Sequence, residues 1–469
     1  MRFSAATTAE RLLPQGLAAR ARPLFDRVDG LLFSQGERGQ AGRMSLIAFV
    51  IRIFSAVIAF VSQVLMARWM GGFEYGVFVV VWVFSIIAGS LACFGAHTAI
   101  IRFIPEYLEK GLFAELRGAL LASRLFSAGA SLVIAALGYG AVILFQDRIE
   151  SYYVAPFLLA MVTLPMIALS DVLQGIARAN SWAVAALSPT YIVRPVLILL
   201  IFDIAVSSGY PSNAETAMVA AIIATYATTI VQWIGVTAFA DRRVPPGPYA
   251  WRFGEWIGIT MPIFFVESFI YLLTNADVLV VGAFMPPDEV AVYFATAKTL
   301  ALVHFVYFSV KAGVAQRYAR YAHGGDRAGL AAFARETARW TFWPSVLMAA
   351  FVLLFGLPIL KLFGPGFEAG YPLLFALVIG VVARASVGPA ESLLTMSGHQ
   401  KVCAVIYGMT LSIYLALAFG LIPFFGLWGA VIALSASTVF EATALGFAVW
   451  RKLGFQMAVL APGAIRENA

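Results

Sequence analysis

Residues 76–100 read GVFVVVWVFSIIAGSLACFGAHTAI, a run with no Asp, Glu, Lys or Arg in it. A hydrocarbon core about 30 Å thick takes roughly 20 apolar residues to cross as a helix, so this run is long enough to span a bilayer. Only helices and closed barrels satisfy their own backbone there. Working outward, the same kind of segment recurs at 44–66, 119–145, 154–176, 183–204 and 218–240, and then at 257–284, 290–314, 340–363, 371–396, 402–423 and 427–450. The expected fold class is therefore all-α: a polytopic membrane protein of twelve transmembrane helices.

Composition agrees. Hydrophobic residues make up 61% of the chain and charged residues 12%, against roughly 25% charged in a soluble domain. A water-soluble fold is excluded. The formal charge of +7 is spread over many short loops, which argues for membrane topology and against nucleic acid as a partner. Cys93 and Cys403 lie in separate apolar segments and read as core residues, with no metal-ligand spacing around them.

Residues 1–43 lack the uninterrupted apolar stretch of a signal peptide and are expected to stay in the mature protein. Within them Leu24, Phe25, Val28, Leu31 and Leu32 recur at helical spacing beside Arg20, Arg22 and Arg27. That pattern suits a helix lying on an anionic membrane surface; a frayed cytosolic tail is the alternative.

Orientation follows from the excess of Lys and Arg in cytoplasmic loops. With the N-terminus inside, the inner face receives the tail arginines, Arg102, Lys110, Arg117, Arg124, Arg178, Arg242, Arg243 and Arg252. It also receives Lys311, Arg317, Arg320, Arg327, Arg335, Arg339, Lys401, Arg451, Lys452 and Arg466, leaving Arg68, Arg148 and Lys361 outside. Both termini are expected in the cytoplasm of a bacterial inner-membrane protein.

The two halves of the chain also match each other, as transporter repeats do. MGGFEYGVF from Met70 sets against MPPDEVAVY from Met285, an offset of 215 that also places Arg102 on Arg317 and Arg124 on Arg339. SDVLQGIARANSW from Ser170 sets against AESLLTMSGHQKV from Ala390, placing Asp171 on Glu391. The expected organisation is a cytoplasmic tail 1–43, a six-helix bundle 44–240, a cytoplasmic linker 241–256, a second six-helix bundle 257–452 and a cytoplasmic tail 453–469. A twofold axis along the membrane normal would relate the bundles.

The run ARWMGGFEYGVFVVVWVFSIIAGSLACFGAHTAIIRFIPEY at 67–107 resembles the opening of the polysaccharide and O-antigen flippases of lipopolysaccharide biosynthesis. These belong to the multidrug, oligosaccharidyl-lipid and polysaccharide exporter superfamily. The resemblance continues through RGALLASRL at 117–125 and LTNADVLVVGAFMPPDEVAVYFATAKTL at 273–300. It implies two pseudo-symmetric six-helix bundles around a central cavity that opens to either side in turn. It further implies a lipid-linked glycan as substrate, membrane lipids and polysaccharide assembly proteins as partners, no cofactor and a monomeric chain. The long arginine-rich tail departs from the family.

Ionisable groups within a bilayer cost about 2.5–3.5 kcal/mol each on insertion scales, so those present should face a cavity or one another. Arg52, Arg194, Glu267, Arg384 and Glu441 fall near mid-membrane, with Asp171, Asp277, Lys298 and Glu391 nearer one end. Arg52 and Glu267 differ by the repeat offset and should sit opposite each other across the pseudo-axis. A lipid diphosphate is densely anionic and suits an arginine fork in a poorly hydrated cavity. Arg52, Arg194, Lys298 and Arg384 are therefore candidate substrate ligands, and Glu267 and Asp277 candidate sites for a coupling H⁺ or Na⁺. The bland alternative is that these charges pair between helices and hold the bundles together.

No DxD pair, phosphate-binding Gly-rich loop, HExxH or G-x-S-x-G occurs, so bond-making chemistry has no evident seat and an enzyme is not expected. The closest rival reading is a cation-coupled multidrug and toxin exporter. It would be expected to concentrate acidic residues in its cavity.

Overall fold

The protein is described by a computed structural model over residues 37–459. The amphipathic stretch proposed within residues 20–32 lies outside that range. Every extended element among the described residues is helical. In chain order they are α1 (Glu37–Leu91), α2 (Ala96–Glu109), α3 (Phe113–Leu144), α4 (Ser151–Ala179), α5 (Ala183–Ser188), α6 (Arg194–Ser207) and α7 (Ala214–Asp241). The series continues with α8 (Phe253–Phe284), α9 (Pro287–His323), α10 (Arg327–Lys361), α11 (Tyr371–Ser386), α12 (Ala390–Met396), α13 (Gln400–Phe425) and α14 (Leu427–Leu453).

Eleven stretches are long and apolar enough to cross a membrane, and the first, Ile51–Glu109, holds two crossings. At 1.5 Å per residue its 59 residues would run about 90 Å if straight. The chain instead folds back at Gly71, whose φ of 79° and ψ of 168° lie outside any helix. The twelve expected crossings are thus present. Three are interrupted. The second breaks between α1 and α2, where Phe94 and Gly95 take φ of 46° and 76°, and the tenth breaks between α11 and α12 at Gly388 with φ 53°. The fifth passes through a π-helical turn, Pro189–Val193. Pro195 has no amide to donate to the Tyr191 carbonyl, which opens the ladder there.

Helix ends run past the apolar segments. α9 continues to His323 and α10 begins at Arg327, well before residue 340. Arg and Glu are good helix formers once outside lipid, so hydrophobicity marks the membrane and not the helix. Between α6 and α7 only the six residues 208–213 lie outside a helix.

Packing sets the overall shape. One apolar core joins both halves at the end carrying the Gly71 turn; it includes Tyr75, Phe78, Val281, Tyr293, Phe363 and Phe367. At the opposite, arginine-rich end the core divides in two. One cluster gathers Ile100, Phe103, Leu116, Leu173 and Ile176 of the first half, the other Tyr318, Phe333, Leu393, Leu445 and Met457 of the second. The halves are therefore fused at one end and separate at the other. The fused end is very tight: a β-carbon on Gly76 would sit 1.7 Å from the Pro287 carbonyl oxygen, an approach that only glycine permits.

Candidate functional site

Polar cavities lie between the helices. The widest of the three that hold the candidate charges, about 480 Å³, is lined by α1, α8, α9, α11, α12, α13 and α14 and contains Asp277, Lys298, His304, Arg384, Glu391 and Glu441. Its charges form an ordered network. Arg384 Nε donates to Glu441 Oε1 at 2.8 Å, and Nη2 donates to Glu391 Oε2 at 3.1 Å and to the Tyr307 hydroxyl at 2.7 Å. Nη1 donates to the Gly388 carbonyl at 3.1 Å, and the guanidinium lies 4.7 Å above the Tyr307 ring. Lys311 and Tyr407 both bond to Glu391. Asp277 is buried and accepts from the Tyr293 hydroxyl at 3.0 Å.

Lys298 stands apart. Its side chain is exposed to the cavity, its Nζ lies 4.7 Å from the Phe294 ring centre, and no carboxylate comes within ion-pair distance among the described residues. Glu391 and Glu441 are engaged by Lys311 and Arg384, and the Asp277 side chain is bonded only to the Tyr293 hydroxyl. What the cavity leaves without a direct ion pair among the described residues is one ammonium and one carboxylate.

A second cavity of about 230 Å³ lies in the first half, lined by Ser90, Asp171, Tyr191, Arg194 and Tyr271. Arg194 is buried and donates from Nη2 to Ser170 Oγ at 3.1 Å, while its Nε has no partner. A third, of about 220 Å³, is lined by His97, Thr98, Arg178, Glu267 and Tyr271. Glu267 accepts from Thr98 Oγ1 at 2.6 Å, and its Oε2 lies 3.1 Å from His97 Nε2.

Over half of the chain, residues 42–315, matches the family model described as polysaccharide biosynthesis protein. The chain belongs to that family. A second model, MatE, matches residues 262–442 of this polysaccharide biosynthesis protein. Among solved structures it is similar to a multidrug resistance MATE family transporter of the MOP superfamily in an inward-facing conformation. There the identity is 13%, the TM-score 0.70, and coverage is 86% of this chain and 98% of that one. It is also similar to the lipid II flippase MurJ in an inward closed conformation, at 15% identity and a TM-score of 0.68, covering 86% of this chain and 87% of that one. No curated protein matches the sequence. This member of the polysaccharide biosynthesis protein family is a multi-pass membrane protein with the fold of MOP-superfamily transporters, and these matched structures are transporters and flippases, not enzymes.

Within that fold the six candidate residues separate. Lys298, Arg384 and Asp277 share the large cavity, Arg194 lines the second and Glu267 the third. Arg52 is exposed on α1, lines none of the three cavities and makes no ion pair among the described residues. The interhelical pairing weighed as the bland alternative describes Arg384 with Glu391 and Glu441. Sequence reading missed His97, Tyr307 and Lys311. Tyr307 and Lys311 are four apart on α9, as are Arg384 and Gly388 across the α11 break, so helical spacing carried a signal for that cluster. For His97 the signal was its neighbour Thr98, a second polar side chain inside an apolar run.

Proposed function

We propose that this protein is a flippase that carries a lipid-linked oligosaccharide or polysaccharide precursor across the bacterial inner membrane by alternating access. The family supports polysaccharide biosynthesis as the setting, and the fused and divided ends supply the two-faced geometry that alternating access needs. The arginine-rich, divided end is cytoplasmic by the positive-inside rule, which puts both termini there. One observation carries the substrate class: Lys298 is a cation with no direct ion pair in the wide polar cavity. A lipid diphosphate headgroup offers it a negative charge in direct contact, and a lysine acts on it as a point charge. The partnerless Nε of Arg194 in the second cavity is a further cationic donor, and Arg52 would act from its exposed position on α1, outside the three cavities. Glu267 and Asp277 are the carboxylates through which an H⁺ or Na⁺ gradient would couple.

The test is surface glycan in cells carrying Lys298 variants at equal membrane abundance. Lys298→Ala should lower export at least about tenfold, the equivalent of 1.4 kcal/mol of lost binding, while Lys298→Arg keeps most of it. Full export in Lys298→Ala would remove the cavity cation from the reading. The MatE match over 262–442 favours one rival, a cation-coupled multidrug antiporter. That reading is preferred if drug resistance, and not surface glycan, follows the Lys298 variants.

A further inference from the structure

The second cavity is furnished differently from the wide one. It lies between α1, α4, α6 and α8, and Trp82, Tyr191 and Tyr271 all stand in its wall. Phe78, also in the wall, stacks on Trp82 with ring centroids 6.2 Å apart and planes 7° from parallel, which fixes the indole. Tyr191 is carried by the π-helical turn Pro189–Val193, with Thr190 beside it and Arg194 directly after it. Such turns are frequent at functional sites.

The polar groups among these rings are under-used. Arg194 and Ser62 are 5% and 4% exposed, and Arg194 Nε and Ser62 Oγ make no hydrogen bond among the described residues. Gln63 Oε1 accepts from the Tyr75 hydroxyl at 2.7 Å, which leaves its amide nitrogen to donate. Asp171 accepts from Ser90 Oγ at 2.6 Å through Oδ2, and that Oγ lies 3.1 Å from the Tyr271 hydroxyl. Buried polar atoms without partners cost free energy until a ligand supplies them. The charges narrow what that ligand is. One guanidinium and one carboxylate line the cavity and make no direct ion pair, so an anion would meet Asp171 and an organic cation would meet Arg194. A neutral molecule avoids both penalties. A pyranose ring also matches the furniture, since its C–H face covers an aromatic ring and its hydroxyls donate as well as accept.

The second cavity adjoins the wide one. Trp82 and Val83 are consecutive on α1, as are Tyr271 and Ile270 on α8, and in each pair the first lines the second cavity while the other lines the wide one. In a diphosphate-linked glycan the first sugar is bonded directly to the diphosphate, so the two groups need neighbouring seats. We propose that the second cavity seats that first sugar as a neutral ring, packed on Trp82 and Tyr191 with its hydroxyls bonded to Arg194, Ser62, Gln63 and Asp171. This rests on the flippase reading above and divides its substrate, with the diphosphate against Lys298 in the second half and the sugar in the first. Arg194 then donates to a sugar hydroxyl. Because the seats belong to different halves, only a carrier bearing both groups bridges them, and a carrier without its glycan is held by one half alone.

The test uses the full-length chain in lipid nanodiscs and a soluble short-chain probe, citronellyl diphosphate, either bare or carrying one glucose, galactose, N-acetylglucosamine or glucuronic acid. Wild type should bind at least one of the neutral-sugar probes about tenfold or more tightly than the bare one, and the glucuronic acid probe less tightly than that. Tyr191→Ala and Trp82→Leu should bring the ratio of sugar-bearing to bare affinity close to one. Ser62→Ala, which removes a hydroxyl and leaves the packing, should lower the ratio about threefold, the worth of one hydrogen bond. Lys298→Ala should weaken every probe and leave the ratio standing. A ratio near one in wild type for all three neutral sugars, a preference for glucuronic acid, or a ratio that survives both Tyr191→Ala and Trp82→Leu would overturn the sugar seat. Failure of every probe to bind defeats the flippase reading itself, whereas equal binding of bare and sugar-bearing probes, weakened by Lys298→Ala, defeats the sugar seat alone.

Discussion

Arg384 directs donors at two carboxylates, a phenol and the Gly388 carbonyl that the break after α11 leaves without a helical partner. With side-chain exposures of 9%, 14% and 16%, Arg384, Glu391 and Glu441 form a triad whose charges balance only when Lys311, which bonds to Glu391, is counted with them. Removing the arginine leaves two largely buried carboxylates with Lys311 as their one cation, a loss on the order of 3–5 kcal/mol. Arg384→Ala should therefore lower the melting temperature of the purified protein sharply, and Arg384→Lys should recover little, because one ammonium cannot reproduce the fork. Unchanged melting with lost export would return Arg384 to the substrate ligands. At this scale the sequence was legible for location and not for role. A charge in an apolar run announces a cavity or a partner, and Arg384 and Lys298 announced themselves equally. Only the position of Glu441, on a helix 57 residues away, decides which is satisfied.

Among elements, the linker after α7 behaves as a strap. Arg117 on α3 donates from Nε to the Pro248 carbonyl at 2.9 Å and bonds the Pro245 carbonyl as well. The added tie of Arg252 to Glu115 means that residues 245–252 travel with the first half, and any hinge lies further along α8. Arg117→Ala should leave thermal stability within about 0.5 kcal/mol, as for most exposed positions, yet expose the linker to trypsin at Arg242, Arg243 or Arg252; protection equal to wild type would mean the strap is held by other contacts. The crossings themselves were readable because about 20 apolar residues have few alternatives to a helix in a bilayer. Their interruptions were readable only in part. Pro195 and the Gly388-Pro389 pair are breakers that mark the fifth and tenth crossings, whereas nothing in residues 92–95 announces the left-handed Phe94.

For the whole molecule, a shared core at one end and divided cores at the other mean that the halves can exchange access only if the shared core parts while the divided ones meet. The contact between α1 and α9 beside the Gly71 turn must then open in every cycle. A β-carbon at Gly72 would lie 3.8 Å from the Asp288 β-carbon, within the span a disulfide bridges. The native cysteines, Cys93 and Cys403, are buried in other regions and leave the pair to itself. Gly72→Cys combined with Asp288→Cys should therefore oxidise spontaneously if that end faces the periplasm, where disulfides persist. Export should fall to background in the oxidised protein and return on treatment of cells with a membrane-permeant reductant, while each single variant exports normally. Full export with the crosslink complete would mean that the fused end never separates and that substrate passes by another route. Failure to oxidise in cells, with ready oxidation in purified protein, would place the Gly71 turn in the cytoplasm and reverse the orientation argued from the arginines.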